Sequence, residues 1–98
     1  MNYLEKYGLK KEDIQELREM YNDGIIRFIT ENEYFISEKC EYLKEQNYYI
    51  YPILKNNIKI FLEIMPALKN KIKKMKERQY SNKQIQMILM DEKIYDRI

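Results

Sequence analysis

Residues 28–48, FITENEYFISEKCEYLKEQNY, return 32 positions later as residues 60–80, IFLEIMPALKNKIKKMKERQY. Phe28, Ile29, Ile36, Cys40, Leu43 and Tyr48 correspond to Ile60, Phe61, Leu68, Ile72, Met75 and Tyr80, and Lys44-Glu45 corresponds to Lys76-Glu77. Within each copy the apolar residues recur at spacings of three and four, the period of a helix with one buried face. A second match, Ile53-Leu54 with Ile88-Leu89, is offset by 35 residues. Each unit reads as helix, short apolar turn, helix and short linker. A unit this small cannot bury its own stripe, and stacking against a neighbour is the physical remedy. The reading is one domain over residues 1–98, with repeat-like units at about 8–47 and 48–80 and a partial unit at 81–98.

Working outward, the first strong helix is expected from about Lys10 to Asn22, with Ile14, Leu17 and Tyr21 on one face. Glu12 and Asp13 fall in its first turn, where the helix dipole favours acids. Asp23-Gly24 is expected to end it, Gly24 as a left-handed cap. A short apolar piece, Ile25 to Ile29, follows. The next helix starts near Thr30–Asn32, with Thr30 and Glu33 as a capping box and Asn32 as a competing cap. Its stripe is Ile36, Cys40 and Leu43, with Glu38, Glu41 and Glu45 on the opposite face. Pro52 is placed in the first turn of a helix to about Asn56 or Asn57, and Ile58–Met65 forms a second short apolar piece. Pro66 opens the helix to about Gln79. Ser81 with Gln84 is the clearest capping box, and residues 91–98 form either one more helical turn or a frayed end.

Composition supports the same class. Val, Trp and His are absent, Thr30 is the only threonine, and two Gly and two Pro punctuate 98 residues. An all-β fold needs more turns and more β-branched residues. Glu, Lys, Leu, Met, Gln and Arg, all favourable in helix interiors, are abundant. The expected fold is therefore all-α: five to seven short helices stacked as hairpins, in a repeat or solenoid-like array or a compact bundle. Ile, Lys, Tyr and Asn make up 47 of the 98 residues, the signature of AT-rich coding in a low-GC bacterium or its phage.

The cadence of Gly8-Leu9-Lys10-Lys11-Glu12-Asp13-Ile14, Ile36 and Lys39-Cys40-Glu41-Tyr42-Leu43-Lys44-Glu45 resembles repeats of the mitochondrial transcription termination factor (mTERF) family. So does that of Ile53-Leu54-Lys55-Asn56-Asn57, Phe61-Leu62, Leu68, Ile72 and Met75-Lys76-Glu77. The resemblance covers about residues 8–94. It implies repeats of two helices and a short 3₁₀ turn, stacked into a curved solenoid that binds nucleic acid through basic surface residues. Asn57 stands near a slot where the family often carries Pro, and about two and a half repeats are present.

Charge is divided along the chain. Residues 1–54 carry seven basic and eleven acidic groups, residues 55–98 eleven and five, so the halves are −4 and +6. Such a division gives either two solvated faces or a basic face that meets an anion, with nucleic acid first among candidates. The densest basic run is Lys69, Lys71, Lys73, Lys74, Lys76 and Arg78, opposed only by Glu77, and phosphate contact requires that density. These six are the candidate nucleic-acid-binding residues, for DNA or RNA. Tyr48, Tyr49 and Tyr51 are a candidate interface: exposed aromatics stack on bases or anchor protein partners, whereas core tyrosines line a rim with the hydroxyl in water. The alternative function is a protein-interaction module, self-associating or taking a charged partner. Ile94 and Ile98 leave an apolar edge that fits a dimer contact or fraying.

Other chemistries find no support in the residues. Without His the commonest general base and metal ligand are missing, and a lone cysteine makes no disulfide scaffold or zinc knuckle. Cys40 reads as a small core residue. Glu12, Asp13 and Glu16, or Asp91 and Glu92, have no partner base or phosphate loop, so neither catalysis nor a cofactor or metal is expected. A helix-turn-helix from Ser81 onward lacks the turn residues and a second helix of sufficient length. Met1-Asn2-Tyr3-Leu4-Glu5-Lys6 carries no apolar run of a secretory signal, and no stretch reaches transmembrane length. A cytoplasmic protein without a membrane partner is the expectation.

Overall fold

A computed structural model describes all residues, 1–98. The chain is entirely helical. A 3₁₀ helix (Asn2–Tyr7) precedes α1 (Lys11–Met20), α2 (Asp23–Glu31), α3 (Glu33–Glu45), α4 (Ile50–Asn56), α5 (Lys59–Leu62), α6 (Met65–Glu77), α7 (Asn82–Leu89) and α8 (Glu92–Asp96). The fold class is thus all-α, with more helices than the five to seven expected. The extra ones are the 3₁₀ helix at Asn2–Tyr7 and the two short apolar pieces, which are α2 and α5. An isoleucine-rich run costs only a few tenths of a kcal/mol per residue in a helix, and burial of Ile29, Ile60 and Phe61 outweighs that. No helix is long and apolar enough to cross a membrane. Two compact units are present, Met1–Tyr51 and Pro52–Ile98, with the boundary inside α4.

In the first unit the 3₁₀ helix packs against α1 and α3, burying Leu4 and Tyr7. Gly8 turns the chain into α1 at φ 92°, a left-handed conformation suited to glycine. The Tyr3 hydroxyl donates to the Ile29 carbonyl at 2.7 Å, and the Tyr7 hydroxyl to Glu41 Oε1 at 2.9 Å. Asp13 accepts from the Lys10 backbone N–H at 2.9 Å and so opens α1. Gly24 is not a left-handed cap. Asn22 caps α2 instead, its Oδ1 accepting from Ile25 N at 3.0 Å, which puts Gly24 inside the first turn. The Thr30–Glu33 box is also absent. Thr30 Oγ1 donates back to the Ile26 carbonyl at 2.8 Å, and Asn32 Nδ2 donates to Phe28 O at 2.9 Å, so both side chains close α2 rather than open α3.

The second unit has its core in Ile53, Leu54, Ile60, Phe61, Leu68, Ile72, Met75, Ile85, Leu89 and Tyr95. Asn57, fully buried after α4, donates through Nδ2 to the Leu89 carbonyl at 3.0 Å, tying that turn to the end of α7. The Ser81–Gln84 box forms as expected: Gln84 N donates to Ser81 Oγ at 3.1 Å and Ser81 N to Gln84 Oε1 at 2.8 Å. Residues 92–96 are helical, capped by Asp91 Oδ1, which accepts from Ile94 N at 3.1 Å.

The 32-residue repeat is visible in the backbone of both units. Helices α3 and α6 each have 13 residues, and each ends two residues before a non-glycine in the left-handed region: Asn47 at φ 66° and Gln79 at φ 63°. Tyr48 N donates to Leu43 O at 2.9 Å and Asn47 N to Lys44 O at 3.0 Å; Tyr80 N donates to Met75 O at 3.1 Å and Gln79 N to Lys76 O at 2.9 Å. Both are Schellman closures. Because a left-handed glutamine is strained, Gln79→Gly should raise stability by about 1 kcal/mol, a few degrees in Tm, and Asn47→Gly by less, since asparagine tolerates that region. Thermal unfolding of the two variants checks the order.

Several core groups favour their neutral forms. Burial first, then Glu41, pushes the Cys40 thiol from 9.0 up to about 12. Tyr3, Tyr51 and Tyr95 are raised above 10.0, with burial the largest cause in each. A raised pKa contributes stability that is complete below the unfolded value and is lost as pH rises toward the folded one. The urea midpoint should therefore hold level up to about pH 9 and fall beyond it. Cys40→Ala should flatten the first part of that fall.

Candidate nucleic-acid interface

Helix α6 starts with Pro66 in its first turn, where a missing N–H costs nothing, and ends at the Gln79 closure. Leu68, Ile72 and Met75 are its buried stripe. At 100° per residue, Lys69, Lys73 and Lys76 lie about 70–130° to one side of that stripe, and Lys71, Lys74 and Arg78 about as far to the other. Asn70 and Glu77 occupy the crest between them. The six candidates thus form two rows separated by a neutral-to-acidic crest. Lys69, Lys73 and Lys76 are all exposed, spaced about 6 and 4.5 Å along the axis. Lys74 and Arg78 are exposed on the opposite row, near the helix C-terminus, where the dipole favours cations.

Lys71 is placed differently. It is half-buried, its ammonium 4.1 Å from the centroid of the Tyr95 ring and donating to the Tyr95 carbonyl at 3.1 Å. Tyr95 in turn donates its hydroxyl to Glu63 Oε1. Burial, then that hydrogen bond, raises its pKa. This clasp joins α6, α8 and the residue that follows α5. Lys39, 32 residues earlier in α3, does the same kind of work. It is fully buried, with its ammonium 3.2 Å from the Phe35 ring centroid and 3.1 Å from the Phe35 carbonyl. In both long helices the seventh residue is a lysine folded onto an aromatic ring.

The tyrosine cluster is not one surface. Tyr48 is buried, because it is the residue beyond the left-handed Asn47 and that position packs against the helix it closes. Tyr51 is half-buried; burial, then Glu16, holds its hydroxyl up at about 12. Only Tyr49 is exposed. The acidic face of α3, Glu38, Glu41 and Glu45, is exposed as expected.

Elsewhere in the second unit, Lys59 pairs with Glu92 at 3.3 Å and Asp96 at 3.1 Å on the surface. No group of three or more Cys, Asp or Glu side chains is placed to hold a metal ion. The Lys71–Tyr95–Glu63 clasp and the buried Asn57 lie beyond what sequence spacing reveals. The one signal in the sequence is Asp91, a capping residue followed at helical spacing by Ile94 and Tyr95. Comparison with protein-family models, curated proteins and solved structures finds no match.

Lys71→Ala should lower stability by about 1–2 kcal/mol and speed amide exchange at α8, whereas Lys73→Ala should stay within about 0.5 kcal/mol of the parent. Urea unfolding and hydrogen exchange distinguish the two.

Proposed function

We propose that the unit at residues 52–98 binds nucleic acid, with Lys69, Lys73 and Lys76 of α6 holding phosphates. The observation that carries this reading is the exposed lysine row, on a helix whose buried face leaves that side to solvent. Two further facts support it. Residues 52–98 hold eleven basic and five acidic groups, net +6, and the repeat cadence resembles a family of nucleic-acid-binding proteins. Lys74 and Arg78 form a second row that a curved backbone reaches from the other side. Lys71 is withdrawn from the site by its contact with Tyr95.

Lysine rows position phosphates and carry little base information, so the expected binding is weak and tolerant of sequence. Three phosphate contacts give a slope of log K against log salt of about −2 for single strands and about −2.7 for duplex DNA. Fluorescence anisotropy with labelled single- and double-stranded DNA and RNA at two salt concentrations measures that slope and ranks the four probes. Changing Lys69, Lys73 and Lys76 together to Gln should weaken binding by about tenfold or more while leaving circular dichroism unchanged. Unchanged affinity in the folded triple variant overturns the assignment, as does an absence of binding at low salt.

A further inference from the structure

The outermost row of α3 is acidic. Glu38, Glu41 and Glu45 lie on the side away from the Ile36–Cys40–Leu43 stripe, and all three are exposed. At 100° per residue they fall within about 60° of arc, spaced about 4.5 and 6 Å along the axis. Tyr34, one turn before Glu38 on the same row, is 83% exposed, more than any other large hydrophobic side chain of the protein. Exposed tyrosines are enriched where proteins meet. The lysine row of α6 has matching dimensions. Lys69, Lys73 and Lys76 also share about 60° of arc and are spaced about 6 and 4.5 Å, the same two steps in reverse order.

We propose that the acidic row of α3 takes up the lysine row of α6 from a second copy of the chain, with the two helices antiparallel. That alignment sets Glu38, Glu41 and Glu45 level with Lys76, Lys73 and Lys69 of the second copy. Antiparallel helices also bring opposite dipole ends together. Charge complementarity indicates this occupant. Residues 1–54 are net −4 and residues 55–98 net +6, so every copy carries both halves of the contact. Opposite fields steer the halves together, while like rows repel and exclude α3 on α3 or α6 on α6.

Each exposed ion pair contributes little, so the contact is weak, reversible and confined to low salt. A phosphate strand and the α3 row of another copy then compete for the same three lysines. That competition rests on the phosphate reading of α6; the association itself does not.

The test uses the full chain. Sedimentation equilibrium from about 0.1 to about 1 mM protein should show a mass that rises with concentration at about 20 mM salt. At about 0.5 M salt, where screening acts within about 4 Å, the mass should return to that of the monomer. Glu41 also accepts from the Tyr7 hydroxyl and is left unchanged. Glu38→Lys with Glu45→Lys should raise the low-salt dissociation constant by about tenfold or more, as should Lys69→Glu with Lys76→Glu. Mixing these two variants makes both rows complementary again and should restore association. Glu12→Lys with Glu19→Lys, exposed positions on α1, alters net charge by as much as the α3 pair and should weaken association by less than about threefold. Every changed side chain is exposed, so helical circular dichroism should persist. A chain that stays monomeric at low salt overturns the proposal. So does association that survives 0.5 M salt, a control that weakens it as much as the α3 pair, or a mixture that remains monomeric. The α3 pair keeps every lysine of α6 and no arm contains nucleic acid, so failure here is distinguishable from failure of the phosphate reading.

Discussion

Each 13-residue helix buries one stripe, Ile36–Cys40–Leu43 in α3 and Leu68–Ile72–Met75 in α6, and the rest of each unit depends on that burial. A fully buried aliphatic side chain is worth about 1.5–3 kcal/mol, whereas a helix of this length is marginal alone in water. The stripe therefore supplies the stability that helix propensity does not. It also dictates the ends. Once the last stripe residue, Leu43 or Met75, is anchored, its carbonyl needs a partner, and the left-handed turn at Asn47 or Gln79 provides one through the tyrosine that follows. The same geometry buries Tyr48 and leaves Tyr80 half-buried.

The stripe sorts the lysines too. The seventh residue of each long helix borders the apolar face, close enough for a four-carbon stem to lie along it while the ammonium reaches a ring and a carbonyl. Lys39 and Lys71 take that path. The lysines further round α6 are exposed. Counting basic residues along 69–78 therefore overstates the candidate phosphate surface, because Lys71 faces its own fold and the remaining five are split by Asn70 and Glu77.

The helical class and the two stripes are readable because a 3.6-residue period is a local property of sequence, and so is the Ser81–Gln84 box, a local hydrogen-bond pattern. Three kinds of feature are not. Asp23-Gly24 reads equally well as an end or a beginning, and the decision rests on which neighbour Asn22 can reach. The first nine residues carry Leu4 and Tyr7 into the core, but a 3₁₀ helix has no hydrophobic period long enough to recognise. The fate of Lys71 depends on Tyr95, 24 residues away, and no spacing rule relates them. The tyrosine cluster divides for a similar reason: Tyr48 closes α3 behind the left-handed Asn47 while Tyr51 lies in α4, so neighbours in sequence belong to different elements.

The repeat also bears on what the charges are for. Position 73 of α6 is lysine where the matching position 41 of α3 is glutamate, on helices of equal length and equal closure. Glu41 accepts from the Tyr7 hydroxyl, so the acid there serves its own unit, whereas Lys73 at the matching place is exposed. Exposed charges contribute only a few tenths of a kcal/mol to stability, so burial of the α6 stripe leaves the sign of its solvent-facing residues largely open.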